Sequence, residues 1–167
     1  DLLIGTWSAG LMRFRRGGNT FYRYPRLNTT NSAYSLFLDK HNHLWVGTWG
    51  YGVVRLDNPG NVRQPEMHQY PYSTNHFDIF YKIVHDPVTK TLWACTREGV
   101  CYLEKDTPNV EWKGYTSIGN NPLNFNNDIA TDGKGNIWLC TQNNGILQVN
   151  TQPSLFKLWN LDTSHTH

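Results

Sequence analysis

Residues 44–48 read Leu-Trp-Val-Gly-Thr, and close variants of this stretch recur along the chain. The variants are LLIGT at 2–6, LWACT at 92–96 and IWLCT at 137–141. Their closing threonines are separated by 42, 48 and 45 residues. Regular self-similarity of this kind indicates that the chain is built from four copies of one structural unit.

The segments between these anchors repeat as well. Each anchor is followed by a glycine and a strand: Gly10-LMRF, Gly52-VVRLD, Gly99-VCYLE and Gly145-ILQVN. A polar turn and a short aromatic strand come next: FYRY at 21–24, MHQY at 67–70, EWKGY at 111–115 and LFKLW at 155–159. Three anchors are preceded by a strand that ends in Asp: AYSLFLD at 33–39, DIFYKIVHD at 78–86 and NDIATD at 127–132. The absence of a 3.6-residue apolar period favours strands throughout.

A unit of four strands every 40–50 residues predicts an all-β fold, a β-propeller fragment of four tandem four-stranded antiparallel blades. By analogy with other propellers, the strand ending in Asp is innermost, so the first blade lacks its innermost strand and the total is 15 strands. The blades are predicted at approximately 1–27, 31–72, 76–117 and 124–160, with a tail at 161–167. The anchor strands should be buried on both faces, with Trp45, Trp93 and Trp138 bridging neighbouring blades.

The repeat also predicts local geometry. The glycine before each third strand should take a positive φ in a tight hairpin, and the Asp before each polar turn should accept backbone N–H bonds. If Thr96 faces Val100, Cys95 and Cys101 are directly opposed. They are then either a disulfide or, as we favour, two small apolar fillers. Cys140 occupies the position of Cys95 in the next unit and is expected in the core.

Composition and motifs exclude several classes of function. A net charge of +2 with 17% charged residues gives no basic surface for nucleic acid. No apolar run has the length of a membrane span, so membrane contact is expected only through segments outside this chain. His41 and His43 lie in a polar turn without further ligands, so we expect no metal and no cofactor.

Catalytic motifs are missing as well. The residues Asp39, Asp86 and Asp132 repeat at equivalent turns, which indicates a structural role. His76, Asp78 and Glu98 are the only loose candidates for catalysis, and we expect no enzymatic activity.

The hairpins differ from unit to unit, and they are the candidate binding site. Aromatic rings that stack on sugar C–H faces stand beside amides and a guanidinium that bind hydroxyls. The candidate residues are Trp7, Trp49, Tyr51, Arg97, Gln142 and Asn143. Connections between blades add Asn31, His76, Asn126 and Asn127. Trp7 and Trp49 hold the same position in successive units, so their rings are expected to be neighbours; the alternative is that they pack loop against loop.

The repeat resembles the two-component regulator propeller repeat. The shared pattern is D-x-x-G-x-hydrophobic-W-hydrophobic-G-T, a Gly-hydrophobic pair and a short aromatic strand, and residues 132–138 match it best. Departures are Leu3 in place of Trp, Cys95 and Cys140 in place of Gly, and the longer turn after Asp86. The resemblance implies the periplasmic, extracytoplasmic sensor half of a hybrid two-component receptor, a type common in gut Bacteroidetes. Such a domain would recognise an oligosaccharide and pass the signal to a histidine kinase located elsewhere.

A second class of function remains open from the sequence. The propeller could instead be a protein-interaction scaffold with no small-molecule site. In either case the open blade faces are expected to meet the remaining propeller blades or a second copy of the chain, because exposed apolar sheet faces tend to associate.

Overall fold

The computed structural model describes residues 1–27, 32–70, 79–104, 110–123, 126–151 and 157–159. They form 17 strands and one short 3₁₀ turn at Pro25–Leu27. The first sheet holds β1 (Leu2–Gly5), β2 (Leu11–Arg15) and β3 (Thr20–Arg23); the second holds β4 (Ala33–Leu38), β5 (Leu44–Thr48), β6 (Val53–Leu56) and β7 (Met67–Tyr70). The third holds β8 (Phe80–His85), β9 (Leu92–Thr96), β10 (Gly99–Leu103) and β11 (Lys113–Tyr115). A small hairpin, β12 (Ser117–Ile118) and β13 (Asn121–Pro122), precedes the fourth sheet of β14 (Asn126–Thr131), β15 (Asn136–Thr141), β16 (Ile146–Asn150) and β17 (Lys157–Trp159).

Every sheet is an antiparallel meander in which consecutive strands are neighbours. One three-stranded and three four-stranded sheets are the predicted arrangement, and the all-β propeller-fragment fold is confirmed. The β12–β13 hairpin was not predicted from the sequence. No helix in the described part of the chain is long and apolar enough to cross a membrane.

The apolar core is divided into three layers, each lying between two consecutive sheets. The layer between the first and second sheets contains Leu11, Tyr24, Leu27, Ala33, Leu44, Val46, Val54 and Leu56. The layer between the second and third sheets contains Trp45, Val53, Tyr70, Phe80, Ile83, Leu92, Ala94, Cys101, Leu103 and Trp112. The layer between the third and fourth sheets contains Trp93, Cys95, Val100, Leu123, Ile129, Ile137, Leu139, Leu147 and Val149. Each inner sheet is therefore stabilised by both of its neighbours.

The anchor strand β5 explains why these layers form. All five of its residues are buried, and successive side chains point to opposite faces of the sheet. Leu44 and Val46 enter the layer shared with the first sheet, while Trp45 enters the layer shared with the third. An apolar residue at every position is thus required, because a strand inside a stack of sheets has no solvent-facing side.

The first and fourth sheets lie at the two ends of the stack. Each has one face that is not covered by another sheet among the described residues. Cross-strand pairing places Leu2 opposite Phe14, Ile4 opposite Met12, and Phe14 opposite Phe21. These five apolar side chains therefore share the outer face of the first sheet, where Phe21 is 57% exposed. The outer face of the fourth sheet carries Trp138, Cys140 and Ile146.

This arrangement corrects two expectations from the sequence. Cys140 is exposed rather than part of the core, because its side of the fourth sheet meets no further sheet among the described residues. For the same reason Trp138 is only half buried, whereas Trp45 and Trp93 pack between sheets as predicted. An equivalent position in a repeat is buried only if the next repeat is there to cover it.

The opposed pairing of Cys95 and Cys101 is wrong. The β9–β10 hairpin pairs Thr96 with Gly99, which places Cys95 opposite Val100 and Cys101 opposite Ala94. Cys95 consequently faces the fourth sheet and Cys101 faces the second. Two thiols on opposite faces of one strand pair cannot reach disulfide geometry, and neither residue forms a disulfide. The preferred reading, small apolar fillers, agrees with their full burial.

We predict that a thiol reagent in dilute native solution modifies Cys140 rapidly and the other two cysteines only on unfolding. Burial raises the pKa of the Cys95 thiol to about 12, so almost no reactive thiolate exists at neutral pH. Mass spectrometry of tryptic peptides after a timed reaction measures each site separately. Equal labelling of Cys95 and Cys140 would contradict the layered packing.

Candidate functional site

The hairpins that follow the anchors are closed by the same interaction in every sheet. The Thr6 hydroxyl donates to the carbonyl of Gly10 at 2.7 Å, and the Thr48 hydroxyl donates to that of Gly52 at 2.7 Å. The equivalent bonds in the other two sheets are Thr96 to Gly99 at 3.0 Å and Thr141 to Gly145 at 2.9 Å. Three of these hydroxyls also accept a backbone N–H from within the hairpin, from Ala9, Tyr51 and Asn144. The repeated threonine thus fixes the shape of the loop that carries the variable residues.

The predicted positive φ of the hairpin glycine is found in three of the four units. Gly10, Gly52 and Gly145 have φ of 70°, 71° and 67°, a region that side chains other than glycine rarely adopt. Gly99 lies inside strand β10 instead and is required for a different reason. A Cβ atom there would lie 2.2 Å from the carbonyl oxygen of Tyr115 on the adjacent strand.

Four aromatic rings meet at this hairpin end of the first three sheets. Trp7 and Trp49 contact each other edge to face, with centroids 4.8 Å apart, so the expected proximity of these two rings is found. Tyr34 lies 6.0 Å from Trp7 and 6.2 Å from Trp49. Tyr81 extends the group, 5.4 Å from Tyr34. We call these four residues the aromatic cluster; Trp7 remains 62% exposed within it.

The two tyrosines were missed in the sequence because a local irregularity places them there. In β4 the pairing with β5 shifts between Ala33 and Ser35, so Tyr34 is the extra residue of a β-bulge. In β8 the same shift makes Tyr81 the extra residue, and in β14 it is Asn127. A bulge turns its residue away from the regular face of the sheet. Bulges at the same place in three sheets therefore present Tyr34, Tyr81 and Asn127 from the innermost strands.

Arg97 is associated with the cluster through its charge. Burial raises the pKa of Tyr81, and the nearby Arg97 guanidinium partly opposes this rise. The Arg97 backbone N–H donates to the carbonyl of Ile79 at the start of the third sheet. Among the candidate residues, Trp7, Trp49 and Arg97 thus converge on one region of the hairpin end.

The remaining candidates have no described contact with the cluster or have other roles. Tyr51, Gln142 and Asn143 are exposed, and no ring contact or hydrogen bond in the described part of the chain links them to the aromatic cluster. Asn126 is buried and donates to the carbonyls of Leu123 and Thr96, which ties the fourth sheet to the third. Asn31, His76, Asp78 and the tail at 161–167 lie outside the described residues.

The opposite end of the sheets carries the polar turns, and their aspartates act as predicted. Asp39 accepts the backbone N–H groups of His41 and His43 and the indole N–H of Trp45. Asp132 accepts the equivalent backbone groups of Lys134 and Asn136. Burial raises the pKa of Asp39, but these hydrogen bonds outweigh it and the net pKa is lowered. The repeated carboxylates therefore hold turns in place.

One group of metal-type side chains was not noticed in the sequence. Single ligand atoms of Asp57, Glu66 and His68 lie within 4.8 Å of one another. Arg55, however, already binds the Asp57 carboxylate through two nitrogens at 2.5 and 2.9 Å. The Arg55 guanidinium also lies over the rings of Trp45 and Tyr70. The group is best described as the acidic partner of a buried arginine, because a positive charge already occupies the carboxylate.

Comparison with known proteins supports the propeller fold and identifies the family of one repeat unit. Residues 29–50 match the family described as the two-component regulator propeller. The resemblance inferred from the sequence is confirmed. None of the curated proteins matches the chain.

Three solved structures share its architecture. PorZ, a surface component of the type-IX secretion system of Porphyromonas gingivalis, superposes with a TM-score of 0.66 at 12% identity, over 96% of this chain and 25% of PorZ. A nidogen–laminin complex gives 0.64 at 12% identity, over 93% of this chain and 60% of the matched one. The extracellular domain of a putative one-component system from B. thetaiotaomicron gives 0.56 at 19% identity, over 84% of this chain and 22% of that domain. At these identities the likeness shows the fold alone, and the chain spans less than two thirds of each matched structure.

The threonine contacts lead to a matched pair of substitutions. We predict that Thr48→Val lowers the free energy of unfolding by about 1–2 kcal/mol, because the Gly52 carbonyl loses a buried hydrogen bond. The same change at Thr141, where the bond is exposed, should cost less than about 0.5 kcal/mol. Urea unfolding of both variants measures the difference. Equal losses would mean that the hydroxyls do not hold the hairpins.

Proposed function

We propose that this chain is part of an extracytoplasmic sensor propeller and that the aromatic cluster at its hairpin end binds an oligosaccharide. The observation that carries the proposal is the contact of the rings of Trp7, Tyr34, Trp49 and Tyr81 across three consecutive sheets, with Trp7 and Tyr34 exposed. Loops at one end of a rigid β-scaffold are the usual place for recognition. The sheets hold the rings in fixed positions, and the hairpin residues differ from unit to unit.

The chemistry of the cluster suits a neutral, extended ligand. Aromatic faces and edges bury the apolar C–H surface of a sugar, while the hydroxyls of Tyr34 and Tyr81 and the guanidinium of Arg97 can bond its oxygens. Rings contributed by three sheets span more than one sugar unit. This arrangement favours an oligosaccharide over a single compact metabolite.

The signalling part of the proposal is supported by the repeat. Residues 29–50 match a family described as two-component regulator propellers, and the extracellular domain of a putative bacterial one-component system has the same fold. In this proposal the chain performs no catalysis. It binds its ligand outside the cytoplasm and passes the signal to a histidine kinase in another part of the receptor.

The binding test compares two substitutions in the aromatic cluster with one at the far end of β4. We predict that Trp7→Ala and Tyr34→Ala each weaken binding of a hit from a panel of neutral oligosaccharides by about tenfold, or 1.4 kcal/mol. Leu38→Ala is the control, because Leu38 lies at the other end of β4 with an exposure of 52% against 47% for Tyr34. Isothermal titration calorimetry gives the affinities, and thermal unfolding shows that all three variants remain folded.

The result distinguishes ligand contact from loop packing. If Trp7→Ala lowers the melting temperature but leaves the affinity unchanged, the rings pack the loops together and the proposal is wrong. A panel without any binder would overturn the oligosaccharide assignment as well.

A second candidate function, protein association, has its own observation in the open faces of the outer sheets. In the second and third layers, one sheet presents the face that carries its anchor Trp, and the next sheet presents the opposite face. The uncovered face of the fourth sheet is the one that carries its anchor Trp138. The uncovered face of the first sheet is the opposite one, and it carries Phe21. A second copy of the chain can therefore supply both missing partners. The two copies would together hold eight sheets, within the usual range of about 4–8 blades for propellers.

We predict that the chain dimerises at high concentration and that Phe21→Lys prevents it, since a charge would be buried in the new layer. Thr20→Lys is the control because its side chain lies on the other face of β3. Light scattering gives the mass, and protection of Cys140 from thiol reagents should rise with concentration. A monomer at every concentration would rule out this second copy as the partner.

A further inference from the structure

A cleft opens between the third and fourth sheets at the polar-turn end, opposite to the hairpins. Its volume is about 240 Å³. Its lining combines aromatic rings with hydroxyl and amide groups, from Thr89, Thr91, Trp93, Tyr102, Glu104, Tyr115, Val149, Asn150 and Thr151. This volume lies below the roughly 300 Å³ at which drug-sized sites begin. A ligand for this cleft has to be small.

One wall of the cleft is a stack of three rings. Trp93 and Tyr102 lie with centroids 5.0 Å apart and planes inclined by 29°. Tyr115 continues the stack, 5.9 Å from Tyr102 and inclined by 21°. Burial, and then the hydrogen bond with Tyr115, raise the pKa of Tyr102 to about 12, so this phenol stays neutral at physiological pH.

Trp93 also carries a buried hydrogen-bond donor without an acceptor. Its side chain is 6% exposed, and Nε1 has no hydrogen-bond partner among the described residues. The equivalent Trp45 donates to Asp39 at 3.1 Å. Buried donors are nearly always paired in native proteins, so an orphan beside a cleft requires an explanation.

The length of the turn explains why Trp93 lost the carboxylate that Trp45 has. Asp39 precedes Trp45 by six residues, whereas Asp86 precedes Trp93 by seven. The Asp86 carboxylate is instead used by the Thr89 hydroxyl at 2.7 Å and the Thr151 hydroxyl at 2.8 Å. The extra residue thus redirects the carboxylate into its own turn and toward the fourth sheet, which leaves the buried indole N–H without the acceptor that Trp45 has.

The same contacts define what the cleft can bind. The hydroxyls of Thr89 and Thr151 donate to Asp86, so their oxygens retain lone pairs that can only accept from a ligand. The indole N–H of Trp93 can only donate. Glu104 is paired with Lys113 at 2.9 Å, which leaves no unpaired charge among the lining residues. A neutral compound rich in hydroxyl groups meets these requirements, because it donates, accepts and covers aromatic rings with its C–H faces.

We propose that this cleft is a second binding site, for a neutral polyhydroxylated molecule of monosaccharide size, with one of its oxygens accepting a hydrogen bond from Trp93 Nε1 once the indole shifts from its buried position. The site is separate from the aromatic cluster and does not depend on the function proposed there. The corresponding cleft between the second and third sheets, of about 330 Å³, lacks this feature because Trp45 is already paired.

The test follows the indole N–H signal of Trp93 in ¹H–¹⁵N spectra during titration with glucose, galactose, mannose and myo-inositol. We expect at least one of these compounds to move the signal saturably. The Trp93→Phe variant, which keeps an aromatic ring but removes the donor, should bind the same compound at least tenfold more weakly by calorimetry. The Leu38→Ala variant, altered outside both the cleft and the aromatic cluster, should bind it with unchanged affinity.

Two results would overturn the proposal. The first is a Trp93 signal that none of the four compounds moves, since the indole would then be satisfied within the chain. The second is undiminished binding to Trp93→Phe. Because that substitution can disturb packing, Tyr115→Ala serves as a second variant: it trims the exposed end of the ring stack and should also weaken binding.

Discussion

Face-to-face packing of consecutive sheets is the interaction on which the rest of this structure depends. A sheet in the stack has no solvent-facing side, so an anchor strand such as β5 must bury every residue. Trp45 then packs in the layer between the second and third sheets, and Trp93 packs in the layer between the third and fourth. In a repeat architecture each unit contacts only its neighbours. Stability accordingly resides in the interfaces between sheets rather than in any single sheet.

The interfaces also leave the ends of the strands free to differ. At one end the threonine hydroxyls close the hairpins in all four sheets, and the bulges at Tyr34 and Tyr81 bring two further rings to Trp7 and Trp49. At the other end the aspartates hold the polar turns. A single extra residue in one of these turns releases the Trp93 donor beside a cleft. The repeated contacts thus build the frame, and small departures from them distinguish the two proposed binding sites from the rest of the molecule.

Much of the fold could be predicted because the apolar pattern and the repeat spacing report directly on burial. The proximity of Trp7 and Trp49 followed from their equivalent positions in successive units. The pairing of Cys95 and Cys101 failed because a shift of one residue in hairpin register moves a side chain to the other face. Tyr34 and Tyr81 could not be foreseen, since a bulge leaves no mark in the hydrophobic pattern. Cys140 was misplaced because burial at a repeat position depends on the next sheet being present.

The central claim, that the variable hairpin end receives the ligand while the anchors form the frame, is tested most directly by hydroxyl-radical footprinting. The oxidation rates of Trp7 and Tyr34 are measured by mass spectrometry with and without a saturating oligosaccharide, and Leu38 on the same strand is the internal reference. The account predicts that bound ligand lowers oxidation of Trp7 and Tyr34 several-fold and leaves Leu38 unchanged. Oxidation of both aromatic side chains at the same rate with ligand bound would contradict it.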